Sequence, residues 1–217
     1  MSRLYGEHHR ALQDEFETRK LADMVENAIS TTELMDEHTA FIHSRDMFFL
    51  STIDDRGRPT VSYKGGDPGF IRVIDSKTLV FPSYDGNGMF LSLGNINGNR
   101  NIGMLFIDFQ KPFRLRLQGE ASVQQDDPLL QDYKEADAIV RVTVSDVWKN
   151  CPRYVHHYQK VEESRYVPRS ACETPLPDWK RLDKIQGILP SRDKGKADEH
   201  GGTLTMEELQ ELEKRED

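Results

Sequence analysis

The chain offers few residues that could carry chemistry by themselves. Its sequence suggests no paired carboxylates, no Ser/His/Asp set and no Cys/His set for protein-borne catalysis. The most suggestive stretch is 81–108, FPSYDGNGMFLSLGNINGNRNIGMLFID. It reads as strand, glycine-rich turn, short helix and strand. Asp85, Gly86, Asn87 and Gly88 make the turn, and Met89, Phe90, Leu93 and Ile96 follow on one helical face, predicting a helix over 87–97 with Asn87 as its N-cap. A helix start presents unpaired N–H groups and the positive end of the dipole, which suits a phosphate or another anion. The turn is equally compatible with a plain strand-to-helix connection.

Other reactive residue types have structural readings. His8 and His9 beside Glu7 belong to a solvated helix start, since no second ligand cluster accompanies them. His38 falls in an apolar helical face, as a core or interface histidine. Cys151 and Cys172 form no CxxC or zinc spacing and read as free thiols. Nothing marks Cys151 as a redox thiol.

The elements that must position these groups follow from pattern. Helix formers without proline fill 7–29, with Leu12, Phe16, Leu21, Met24, Val25 and Ile29 loosely on one face, predicting one helix. Ser30-Thr31-Thr32-Glu33 has the capping-box pattern and predicts a second helix over about 32–45. From Met47 the period changes to that of strands. FFLSTI and PTVSYK flank the turn Asp54–Gly57 as a hairpin, and FIRVI and TLVF follow as two more strands. IGMLFIDF reads as a buried strand. Next, Phe113, Leu115, Leu117, Gly119, Ala121 and Val123 alternate with Arg114, Arg116, Gln118, Glu120 and Ser122. Asp126-Asp127-Pro128 starts a short helix, and Ala138–Val147 is a seventh strand with Val140, Val142 and Val144 facing in. Asn150 and Pro152 would open another helix carrying Tyr154, Val155, Tyr158 and Val161. Seven short strands with few long helices favour an antiparallel, closed or nearly closed barrel.

Composition limits the rest. The 217 residues are 36% hydrophobic and 30% charged, so the core must be concentrated in part of the chain. A net charge of −8 argues against a broad nucleic-acid or anionic-membrane footprint. No apolar run is long enough for a membrane span and the N-terminus is too charged for a signal peptide, so the expected location is the cytoplasm. The expected layout is a helical N-terminal extension over 1–45, a barrel domain over 46–162 and a polar C-terminal extension over 163–217. Within that extension SRDKGKADEHGG reads as loop or disorder and TMEELQELEKRED as a marginal helix.

Three segments, FFLSTIDDRGRPTVSYKGGDPGF, FPSYDGNGMFLSLGNINGNRNIGMLFIDF and PFRLRLQGEA, resemble in order those of the flavin-binding split-barrel family typified by pyridoxamine 5′-phosphate oxidase, over about residues 38–160. The resemblance implies a mainly β, antiparallel Greek-key split barrel and a homodimer with FMN in two clefts at the subunit interface. It implies that Ser62, Tyr63 and Lys64 run beside the flavin, with Lys64 giving positive charge to its N1–C2=O region or phosphate. Asn87, Gly88, Met89 and Ser92 fall in the phosphate and ribityl region. Arg114 and Arg116 fall where a partner-chain contact is common, although a solvated strand face is an equal reading for both. Asn150 and Arg153 would approach the flavin from the C-terminal side.

The chain departs from that pattern in two places. Phe90-Leu91-Ser92 stands where the oxidase has a basic helix start, so fewer charge-assisted bonds are available there. Arg181-Leu182-Asp183 stands in place of the Arg-x-His element that serves the pyridoxal substrate, so oxidation of vitamin B6 is not supported. The resemblance implies an FMN-dependent oxidoreductase in which the flavin performs the chemistry. The competing expectations are a flavin-binding or sensing protein without turnover, and a split barrel using haem or a deazaflavin. Haem would have to use His156 or His157, which are adjacent and point in different directions.

Overall fold

The computed structural model describes residues 2–216, except for the side chains of Glu213, Arg215 and Glu216. Two compact units divide the chain, the first running to Val161 and the second starting at Glu162. The first unit contains α1 (Glu7–Glu15), α2 (Arg19–Ile29), β1 (Ser30–Thr31), α3 (Asp36–His43), β2 (Met47–Ile53), β3 (Pro59–Gly65), β4 (Arg72–Asp75), β5 (Thr78–Tyr84), α4 (Leu91–Gly98), β6 (Asn101–Asp108), β7 (Phe113–Gln124) and β8 (Ala136–Asn150). All strand pairings in this unit are antiparallel. The order is β3-β2-β6-β7-β8-β5-β4, with β1 added on β8. β5 therefore lies beside β8 and not beside its successor β6, and α4 makes the crossover. The path begins at β3 and ends at β4 without a closing ladder between them, which makes the barrel a split one.

Period-2 patterning sets the barrel's inside. Leu115, Leu117, Gly119 and Ala121 of β7 are buried, as are Val140, Val142 and Val144 of β8. Phe48 sits at the centre, with ring centroids 5.0 Å from Phe81, 5.5 Å from Phe106 and 6.0 Å from Phe70. Gly119 is required by a close approach: at the bulge where β7 passes β8, a Cβ would lie 2.3 Å from the Thr143 carbonyl oxygen.

Several elements differ from their sequence-based expectations, each for a tertiary reason. The helix expected over 7–29 is two helices, with Glu17 between them at φ 56°. The Arg19 guanidinium pairs with Asp14 and donates to the Arg10 carbonyl, so it closes the end of α1. Ser30 does not cap a following helix. Its hydroxyl donates back to the Glu26 carbonyl, and Ser30–Thr31 joins the sheet opposite Val147 and Trp148. α3 starts later, and there His38 Nδ1 accepts the Met35 N–H. His38 is 3% exposed, a core histidine as its apolar face implied. The last barrel strand runs on to Asn150, because its ladder with β7 continues to the pair Arg114–Asn150. The helix expected from Asn150 is absent: Tyr158 N–H donates to the Phe109 carbonyl and the two rings meet edge to face.

The second unit is more ordered than its composition suggests. Short 3-10 turns at Asp178–Arg181 and Asp183–Ile188 precede α5 (Lys196–Glu199) and α6 (Met206–Glu216). Leu189, Ala197, Leu204 and Leu209 are buried. Lys180 Nζ lies 2.8 Å from Asp193 Oδ2, with the two side chains 3% and 4% exposed. The Thr205–Glu208 capping box is formed, with Glu208 Oε2 accepting the Thr205 N–H and Thr205 Oγ1 accepting the Glu208 N–H. Among the described residues no helix is long and apolar enough to cross a membrane.

Candidate functional site

β3 is an edge strand whose inward side is given by its partner. Thr60, Ser62 and Lys64 pair with Thr52, Leu50 and Phe48, all buried, so those three side chains face the barrel interior while Val61 and Tyr63 face out. α4 crosses the interior end of this strand. Asn95 Nδ2 donates to Thr52 Oγ1 and Thr60 Oγ1 at 3.0 and 3.2 Å, which fixes the helix on the hairpin. Ser92 is buried, with its Oγ 3.0 Å from Ser62 Oγ.

Between β3, β5 and α4 lies a cleft of about 260 Å³. Leu50, Phe70, Phe81, Leu93, Ile96 and Val140 form its apolar wall. Ser83, Tyr84, Asp85 and Ser92 add polar residues to the lining, and Lys64 brings a cation. Among the described residues the Lys64 amine has no hydrogen-bond or ion-pair partner, and burial lowers its pKa from the ordinary lysine value. A half-buried amine with no counter-charge, set beside an apolar wall, is suited to an anionic or electrophilic ligand. A more open groove of about 540 Å³ lies on the opposite side of the sheet around Ser51, Gly103, Gln118 and Ser145. Its only charged lining residue is Glu120, so the smaller cleft is the better candidate.

The turn before α4 lies beside the cleft in sequence without lining it beyond Gly86. Asn87 is not the N-cap. Its Oδ1 accepts the Met89 N–H, Gly88 is at φ 76°, and Phe90, at φ 49°, stands as the residue before the helix. Two successive left-handed turns delay the helix, and Met89, Phe90 and Leu91 are left exposed at the rim.

The remaining expected residues gather elsewhere. Arg114 and Arg116 lie on the outward face of β7, opposite Asn150 and Trp148. The register runs Tyr63–Phe49–Leu105–Arg116 across β3, β2, β6 and β7, a separation of three strand spacings, about 14 Å. Lys64 is on the other face of that sheet, so within one chain it cannot meet the two arginines on a single phosphate. Arg114 donates to the Cys151 carbonyl, yet its Nε and the Asn150 Oδ1 are both buried without a partner. Arg116 and Arg153 are exposed. His157 Nδ1 lies 3.2 Å from the Gln110 carbonyl and donates to it. Sequence reasoning missed the wall from Phe81 to Tyr84 in β5; the signal was there in a strand that runs straight into the Asp85–Gly86 turn.

The sequence model of the pyridoxamine 5′-phosphate oxidase family matches residues 34–161, more than half of the chain. This protein belongs to that family. The matched region ends where the first compact unit ends. Solved structures with a similar fold include HupZ of Group A Streptococcus, 17% identical, covering 58% of this chain and 98% of that one at a TM-score of 0.45. An FMN-binding protein from Syntrophomonas wolfei is 12% identical, covering 64% and 97% at 0.42. HutZ, the haem storage protein from Vibrio cholerae, is 17% identical, covering 54% and 94% at 0.38. No curated protein matches the sequence. Arg181 donates within the second unit to the Gly202 carbonyl and to Asp178.

Proposed function

We propose that this chain is an FMN-binding flavoprotein, active as a homodimer and acting as an oxidoreductase on a small molecule. The observation that carries the reading is the unpaired Lys64 amine in the cleft between β3, β5 and α4. The donor set fits a flavin. Lys64 would hold an anionic edge, the Ser62–Ser92 pair would offer hydroxyl groups, the turn at Asn87, Gly88 and Met89 would flank the ligand at the rim, and the aromatic wall would exclude water. When bound, FMN would supply hydride and electron transfer, and the protein would supply position and electrostatics.

A homodimer resolves the separation within one chain. Arg114, Arg116, Asn150 and Arg153 would approach the cleft of a second copy, and the partnerless Arg114 Nε and Asn150 Oδ1 would find their partners there. The exposed rim of Val61, Met89, Phe90 and Leu91 gives that contact an apolar component. Purified protein should be yellow, and acid should release FMN identifiable by chromatography. A colourless protein that takes up no added FMN would overturn the reading. Reduction of the bound flavin by NADH or NADPH tests the oxidoreductase part; a flavin that no donor reduces would leave a carrier. A sedimentation mass of one chain at working concentration would contradict the dimer.

A further inference from the structure

The same cleft carries a second reactivity that flavin binding does not need. We infer that Lys64 is a carbonyl-trapping lysine, whose amine condenses with small aromatic aldehydes entering the cleft. An amine becomes a nucleophile when its surroundings disfavour the ammonium form and no carboxylate restores it. Lys64 meets both conditions: it stands on the inward face opposite Phe48 and has no anionic partner among the described residues. The lowered pKa with burial as its cause agrees with that geometry. Four other lysines have partners, whereas Lys20, Lys111, Lys184 and Lys194 lie outside the cleft. Lys77 donates to the Thr32 carbonyl, Lys149 pairs with Glu37, Lys160 with Asp46 and Lys180 with Asp193.

The cleft also selects the electrophile. At about 260 Å³ it falls just below the range of roughly 300–1,000 Å³ for pockets that enclose a drug-sized ligand, which suits a single ring. Leu50, Phe70, Phe81, Ile96 and Val140 would hold the ring, and Ser83 and Tyr84 are in the lining as polar residues beside it. Phe70 is seated by Gly66, where a Cβ would lie 2.4 Å from its ring. The step balances without an oxidant or reductant. The nitrogen lone pair adds to the carbonyl carbon and the nitrogen passes a proton to the oxygen, giving a carbinolamine. Loss of one water then leaves the imine. The bound ring would occupy the space and the amine that an anionic flavin edge needs, so aldehyde and flavin exclude one another; this last clause rests on the proposed function.

The test is reductive trapping on the full-length, flavin-free protein, using benzaldehyde with cyanoborohydride at neutral pH, followed by peptide mass mapping. Lys64 is expected to carry the benzyl group several-fold ahead of Lys77, Lys149, Lys160 and Lys180, while formaldehyde labels the lysines without that preference. Benzyl labelling of Lys64 that is not faster than that of every other lysine, Lys20, Lys111, Lys184 and Lys194 included, overturns the inference. Lys64→Arg should keep the native circular dichroism and lose the fast label; a fast label persisting elsewhere in that variant also overturns it. A repeat with added FMN separates the two readings. Selective labelling that FMN slows supports both. Selective labelling that FMN leaves unchanged contradicts the flavin contact of Lys64 and keeps the aldehyde site. Non-selective labelling in a protein whose FMN affinity depends on Lys64 contradicts the aldehyde site alone.

Discussion

Two sequestered lysines in this chain have opposite fates. Lys180 in the second unit is 3% exposed and bonded to Asp193, so its charge is neutralised by the fold. Lys64 at the barrel mouth is only half-buried, faces inward beside aromatic rings and has no anionic partner among the described residues. A paired buried charge is part of the folded structure, and removing one partner strands the other. An unpaired one adds nothing to stability and leaves its partner to be supplied from outside. The difference separates a structural cation from a ligand-seeking one.

The largest expected effect is on the paired side. Asp193→Ala removes the carboxylate that buried Lys180 bonds and should destabilise the second unit by about 3 kcal/mol. Hydrogen exchange over residues 178–209 measures this directly, and unchanged protection there would show that the pair is not structural. Next in size is a control on the barrel that the site shares. Gly119→Ala forces a Cβ against the Thr143 carbonyl and should cost about 1–3 kcal/mol in denaturant unfolding. Lys64→Met should behave oppositely to Asp193→Ala. Losing an unpaired, desolvated amine should leave the melting temperature of the flavin-free protein the same or higher, and a fall of several degrees would make Lys64 structural after all.

The smallest effect is a pH dependence in the barrel. Burial lowers the pKa of His38 below the ordinary histidine value, with Glu37 opposing and Lys149 reinforcing the shift. The unfolded chain therefore binds a proton at His38 more readily than the folded one, so stability falls as pH drops below about 6.5. Wild-type protein should lose melting temperature between pH 7.5 and 5.5 by more than His38→Asn does. Equal losses would remove His38 as the cause.

The elements legible in the sequence were those whose side chains repeat at a fixed period. The β7 alternation from Phe113 to Val123 needs only its own residues to declare a half-buried strand, and the β2–β3 hairpin declares itself through FFLSTI and PTVSYK. Features set by distant partners were not legible. The break at Glu17 depends on Arg19 reaching Asp14, the extension of β8 depends on β7, and the order of the second unit depends on Lys180 finding Asp193. The candidate site divides in the same way. Ser62, Lys64 and Ser92 are brought together because strand parity and the crossover helix put them on one inward side. Parity sends Arg114 and Arg116 to the other face, which a list of site residues along one chain does not reveal.

The most direct test is an FMN titration followed by flavin fluorescence, comparing wild-type protein with Lys64→Met and with Lys77→Met as a control for general loss of charge. If Lys64 waits for an anionic ligand group, its replacement should weaken FMN binding by about tenfold or more, the scale of a hydrogen bond to a charged group, while the Lys77 variant binds as wild type does. Equal FMN affinity in all three proteins would contradict the assignment of Lys64 as the cation that receives the ligand.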